Sequence, residues 1–194
     1  MLILARHGRT AANAQRLLLG RADVGLDEHG VEQAAAIGAA LVAAAPSRIV
    51  SSPLERCVRT AAAVAEATGA PVTTDARWIE VDYGQFDRTP LSDVPHEVWQ
   101  HWRTDPGWRP PGGESLREVG ARVSDACAEL TDEVSEGTVV VVTHVSPIKA
   151  AVAWALGTGD DVAWRLFCDV ASLSRIRVGP TGPTLVTFNE TSHL

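Results

Sequence analysis

The chain has 194 residues, of which 45% are hydrophobic and 21% charged, with a formal net charge of -7. That length fits one domain able to bury roughly 70% of the surface its unfolded form exposes, and the composition is that of a soluble globular protein rather than a disordered or fibrous one. The acidic balance argues against nucleic-acid binding through a broad basic surface, so any anion has to be gripped locally.

Cys57, Cys127 and Cys168 are odd in number, widely spaced and without a CxxC pair. Neither a disulfide framework nor a zinc site is suggested. Apolar runs such as AAIGAALVAAA are Ala-rich and interrupted by Gly, which reads as helix interior and not as a membrane span. Met1 leads directly into LILA with no basic n-region before a long apolar stretch, so the cytoplasm is the default location.

In chain order, LILAR (2–6) is a short apolar run ended by Gly8, hence a buried strand. Residues 27–45 have helical periodicity with Asp27 at a plausible N-cap. RIVSS (48–52) is a second strand, and Ser52, Pro53 and Glu55 have the spacing of a capping box opening a helix that Gly69 stops. PVTTD is a further short strand. Residues 77–113 carry four of the six Trp and many turn signals, which reads as an irregular insertion with a short helix near 94–104. Ser115 and Glu118 form another capping box, opening a helix to about Ser135. TVVVVTH (138–144) is the most apolar β-branched run, marking a central strand covered on both faces. Ser146 and Pro147 open a helix closed by Gly157. SLSRIRV and TLVTF alternate like strands near a sheet edge, a feature through which two copies often pair, so a homodimer is a possible assembly. The alternation predicts a three-layer α/β/α sandwich with a mostly parallel central sheet.

In open α/β sheets, ligands lie beyond the carboxyl ends of the strands. His7 ends the first strand, Arg56 lies about one turn past the second, and His144 ends the most buried one. Helices starting near Pro53 and Pro147 aim free N–H groups at the same rim, completing a site for an anion with at least two charges, such as phosphate. Arg6 and Arg56 would hold His7 neutral and nucleophilic by like-charge repulsion. Together with a protonated or donating His144, they would stabilise a transferring phosphoryl group without a metal. The cluster lacks a proton for the departing alkoxide.

RHGRT at 6–10, the downstream Asn13, LDEHGVEQA at 26–34, SSPLERCVRTA at 51–61, PGGES at 111–115 and THVSPIKA at 143–150 occur in this order over nearly the whole chain. They resemble the successive motifs of the histidine phosphatase superfamily, phosphoglycerate mutase-like branch (branch 1). The resemblance implies a phosphoglycerate mutase-like fold. It makes His7 the nucleophile that becomes phosphohistidine, with Arg6, Arg56 and His144 completing the phosphate pocket and Asn13 adding a substrate or phosphate contact. It also places the proton donor at Glu80 in RWIEVDYGQFD, with Asp82 as competitor; an acid in a Trp-flanked irregular segment suits that task. The implied substrate is a small-molecule phosphate ester, and no cofactor, metal, nucleic acid or membrane is called for.

Two departures from the family pattern stand out. QFD at 85–87 replaces a Trp-Glu-Gly run, and Leu26-Asp27 replaces Leu-Thr, an exchange of helix caps. The segment typical of true mutases is missing, which favours a phosphatase over an isomerase; a non-catalytic phospho-ligand binding module ranks last because all four pocket residues are present. Cysteine-based phosphatase chemistry is excluded, since the residues six positions after the cysteines are Ala63, Glu133 and Ser174 rather than Arg. His29, His96, His101 and His193 are read as surface or loop residues.

Overall fold

The computed structural model describes residues 1–194. Six strands form one sheet in the order β3-β2-β4-β1-β5-β6, where β1 is Leu2–Arg6, β2 Arg48–Ser51, β3 Val72–Thr74, β4 Val139–Thr143, β5 Leu173–Gly179 and β6 Gly182–Glu190. The first four run parallel; β5 is antiparallel to β1, and β6 is an antiparallel edge strand. The helices are α1 Ala11–Ala14, α2 Glu28–Leu41, α3 Glu55–Thr68, α4 His96–Thr104, α5 Leu116–Glu136 and α6 Val145–Leu156. None is long and apolar enough to cross a membrane.

The β-branched run of β4 explains the layering. Side chains alternate across a strand, so Val139 and Val141 enter a core with Leu2, Leu4, α5 and α6, while Val140 and Val142 enter a second core with Ile3, Ala5, α2 and α3. All four valines are fully buried, because helices cover both faces of the sheet. The result is the expected α/β/α sandwich.

Two helix starts differ from the sequence reading. The Ser52/Glu55 capping box does not form: α3 begins at Glu55 with Leu54 as N-cap. The Ser52 hydroxyl is instead bonded to His144 at 2.7 Å, and the Glu55 amide donates to Asp23 at 2.7 Å. A tertiary partner thus displaces the local one. In α6 the N-cap is His144, which puts Pro147 in the first turn, where its missing N–H costs nothing. By contrast, Asp27 caps α2 through Gly30 at 2.8 Å and the Ser115/Glu118 box opens α5. Gly69 and Gly157 end their helices in the left-handed conformation. The region read as one helix to Ala45 stops at Leu41 and finishes in a 3₁₀ turn at Val42–Ala44.

Residues 77–113 leave the sheet and return through a narrow neck. Gln85 donates to the Pro111 carbonyl at 3.0 Å and Glu114 to that of Asp82 at 2.9 Å. A Cβ on Gly84 would lie 2.2 Å from the Pro111 oxygen, so only glycine permits this approach. Between the neck residues, α4 brings Val98 and Trp102 onto Leu18 and Val94 in a small core of its own. Trp102 sits edge-on to Trp108 and Tyr83, with ring centroids 5.4 and 5.5 Å away.

Candidate active site

Neighbouring parallel strands carry the two central histidines. Arg6 is in register with Thr143, and the His7 amide continues the ladder to the Thr143 carbonyl at 3.0 Å. His7 and His144 therefore leave adjacent strands side by side, their rings edge-on with centroids 5.1 Å apart.

The turn after His7 is packed against α2. A Cβ on Gly8 would meet the Gly30 carbonyl oxygen at 2.3 Å, and one on Gly30 would meet the Arg9 oxygen at 1.9 Å. Both glycines are thus required by close backbone approach. Arg9 donates to Asp27 at 2.9 Å from its side chain and to Gln33 at 2.8 Å from its amide. The loop that presents His7 is rigid because a helix start is pressed onto it.

His7 is buried, and its Nδ1 lies 2.8 Å from the Gly8 carbonyl. A carbonyl only accepts, so Nδ1 carries the proton and Nε2 keeps its lone pair. Burial, then the nearby Arg6 and Arg56 charges, hold the His7 pKa well below the usual imidazole value. His144 has a different arrangement. Its Nδ1 accepts from Arg56 Nε at 3.3 Å and its Nε2 is paired with Ser52 Oγ at 2.7 Å. Arginine has no acceptor, so Nδ1 is bare and Nε2–H donates to the hydroxyl. Burial, followed by Arg56, His7 and Arg6, also keeps His144 well below the usual value. Of the two forms the sequence left open for His144, protonated or donating, the neutral donor is the one that fits: burial and two arginines disfavour the charge, and both nitrogens are engaged.

This pair makes stability pH-dependent with a definite sign. Both groups are neutral when folded and acquire protons in the unfolded chain below about pH 6.5. The unfolded state then binds more protons, so stability falls as pH drops from there toward the depressed folded values, where the loss is complete. Unfolding free energies from urea titrations between about pH 7 and pH 5 should decline, with a limiting slope near 3 kcal/mol per pH unit from the two histidines. His144→Asn should remove about half of that slope; an unchanged slope would mean that His144 is charged in the folded protein.

Arg56 is fully buried. Its terminal nitrogens donate to the carbonyls of Gly20 at 2.7 Å and Ala22 at 2.9 Å, leaving one N–H on each for another acceptor. Asp87 draws in the same loop through the amides of Gly20 and Ala22, both at 2.8 Å. Arg6 donates from Nη1 to the Cys168 carbonyl at 2.7 Å, while its Nε is buried with no partner. An orphaned guanidinium N–H is costly, and an anion at the end of β1 would satisfy it.

Glu80 is 4% exposed. Its Oε1 accepts from its neighbour Val81 at 2.8 Å and from Ser146, in the first turn of α6, at 3.2 Å. Oε2 has no protein partner. The segment is anchored by Trp78, which is fully buried and whose carbonyl accepts from Thr143 at 2.5 Å. The competitor Asp82 instead accepts from the Gly84 amide at 2.8 Å and pairs with Arg21 at 3.5 Å. Asn13 lines the same cavity as His7, but its Oδ1 is committed to Thr10 at 3.0 and 3.1 Å, which leaves only its NH₂ group available.

A cavity of about 350 Å³ opens at this rim, lined by Arg6, His7, Asn13, Glu80 and Lys149 among others. Arg56 and His144 are not among its lining residues; they reach it through His7, which His144 meets edge-on. Lys149 was not singled out by the sequence reading, although it is the chain's one lysine and lies five residues after His144. Burial lowers its pKa, against the opposing influence of Cys168 and Glu80.

The fold is an α/β/α sandwich that brings two buried imidazoles and two arginines together at the carboxyl ends of its parallel strands. The chain belongs to the histidine phosphatase superfamily, branch 1, whose sequence profile matches residues 2–191. It is 35% identical over 198 residues to a bifunctional protein of Mycobacterium tuberculosis, covering 100% of this chain and 54% of that protein; the chain thus spans about half the length of that mycobacterial relative. It is 33% identical to phosphoserine phosphatase 1 of Hydrogenobacter thermophilus, covering 100% of this chain and 93% of that protein. Among solved structures, a mycobacterial glucosyl-3-phosphoglycerate phosphatase complexed with VO3 superposes with a TM-score of 0.91 at 30% identity, covering 98% of this chain and 99% of that one.

Proposed function

We propose that this protein is a metal-independent phosphatase that hydrolyses small phosphomonoesters through a phosphohistidine on His7. The observation that carries the reading is the bare Nε2 of a neutral, buried imidazole, fixed through Nδ1 to Gly8 and within electrostatic reach of Arg6 and Arg56. Nε2 attacks phosphorus, the ester P–O bond breaks, and the departing oxygen takes a proton from the Glu80 carboxyl. Water then gives a proton to Glu80 and attacks phosphorus, the P–N bond breaks, and inorganic phosphate leaves. Arg6 Nε and the spare Arg56 N–H groups face the developing charge. Neutral His144 aligns Arg56 and supports the His7 ring.

Support for Glu80 over Asp82 comes from their partners: Glu80 sits dry at the start of α6 with one oxygen uncommitted, whereas Asp82 is tied to Arg21. We assign residues 77–113 to covering the leaving group, within one phosphatase unit spanning the chain. The test is to incubate wild-type protein with a phosphomonoester in chelator, quench in alkali and map the label. Acid-labile phosphate on His7 together with release of inorganic phosphate is the expected result. Release only after metal is restored, or label on another residue, would refute the mechanism.

A further inference from the structure

The cavity is lined mostly by apolar side chains, with His7, Asn13, Tyr83 and Ser146 as its uncharged polar groups. Its charged lining groups are Arg6, Glu80 and Lys149, and the Lys149 ammonium lies within electrostatic reach of both Arg6 and Glu80. These charges thus form one cluster, which Arg6 joins to His7. The remaining wall includes Leu17, Leu91, Trp99, Trp164 and Phe167. Trp164 has already given its indole N–H to the Trp102 carbonyl at 2.9 Å, so it offers ring surface, over which the Arg103 guanidinium lies 5.6 Å from the centroid. Phe167 is 72% exposed and Leu91 38%, both on the lining of this cavity.

Resting on the phosphatase reading, we infer that the leaving group is an apolar alcohol, so that the preferred substrates are phosphomonoesters carrying an aliphatic or aromatic tail. A sugar, a glycerate or a serine would bring hydroxyls, a carboxylate or an ammonium against leucine and tryptophan, and each polar group buried without a partner costs affinity. An alkyl or aryl group instead removes the exposed Phe167 and Leu91 surface from water. The tail lies along α4 and residues 163–167, and the phosphate rests on Arg6 at the end of β1.

The experiment measures kcat/KM for ethyl, butyl, hexyl and octyl phosphate beside glycerol, serine, glycerate and glucose phosphates. Burial of each methylene should raise kcat/KM about fourfold until the cavity is filled, so hexyl should exceed ethyl phosphate by roughly 10²-fold. Hexyl phosphate should also outpace each polar ester by tenfold or more, and Phe167→Ser should lower the slope. Binding of the matching n-alkylphosphonates, which cannot turn over, reads the same slope without chemistry. If phosphohistidine forms but kcat/KM is flat with chain length, or a polar ester is fastest, the apolar-tail inference falls while the phosphatase reading stands. If no ester labels the protein, the phosphatase reading falls, and the phosphonate series still decides the pocket: affinity rising with chain length upholds it, and a flat series overturns it.

Discussion

His7→Ala should fold normally, retain affinity for inorganic phosphate and release phosphate from small monoesters at least about 10⁴-fold more slowly than wild type, a loss typical of removing a covalent nucleophile. Folding should survive because the lost side chain makes a single hydrogen bond, to Gly8. Its removal leaves a void beside His144 worth a few kcal/mol at most. Phosphate affinity should survive because Arg6 and Arg56 come from different elements and keep their own supports, the Cys168 carbonyl for one and those of Gly20 and Ala22 for the other. Turnover and product binding measured on one preparation check both halves. Activity within tenfold of wild type would show that water, or another side chain, attacks phosphorus.

Glu80→Gln should slow alkyl phosphates by about 10²- to 10⁴-fold. For aryl phosphates with an acidic phenol it should slow the second half-reaction more than the first. The substitution is close to isosteric, and the amide oxygen can still accept from Val81 and Ser146 as the carboxylate does, so geometry is kept and the transferable proton is lost. An acidic phenol leaves without a proton donor, but the water that cleaves phosphohistidine still needs a base. Rapid mixing should therefore show one equivalent of phenol in a burst while phosphoenzyme accumulates. Equal losses on alkyl and aryl esters without accumulation would mean that Glu80 positions groups and carries no proton.

What the sequence revealed depended on the range of the interaction that decides each feature. Asp27 and the Ser115/Glu118 pair are helix caps whose partners lie three residues away, and both form as read. Ser52 and Glu55 have the same local signature, yet Ser52 is held by His144 across the sheet and the first turn of α3 is capped by Asp23. No windowed pattern contains either partner. The convergence of Arg6, His7 and His144 was readable because consecutive motifs fall at strand ends, where parallel pairing brings them together. For His144 the sequence left a charged and a neutral donor open, because its neutrality arises from Arg56 Nε and complete burial, both tertiary facts. Lys149 carries its signal in rarity, as the only lysine of 17 basic residues, but its facing toward the cavity depends on the angle at which α6 leaves β4.

The neck at 82–85 and 110–114 has a bearing on how such a protein can diversify. Every group assigned to bond making lies outside the enclosed segment: His7 and His144 at strand ends, Arg56 on α3, and Glu80 just before the neck. The tail-binding wall drawn from α4 lies within it. Because the neck already brings the ends together, altering the length between them adds little closure cost, about 0.6 kcal/mol for a doubling. Asp87 must stay, since it secures the loop that holds Arg56. The span from about residue 90 to 109 can then be treated as an exchangeable cassette, so that new specificities can be grafted onto unchanged reaction chemistry.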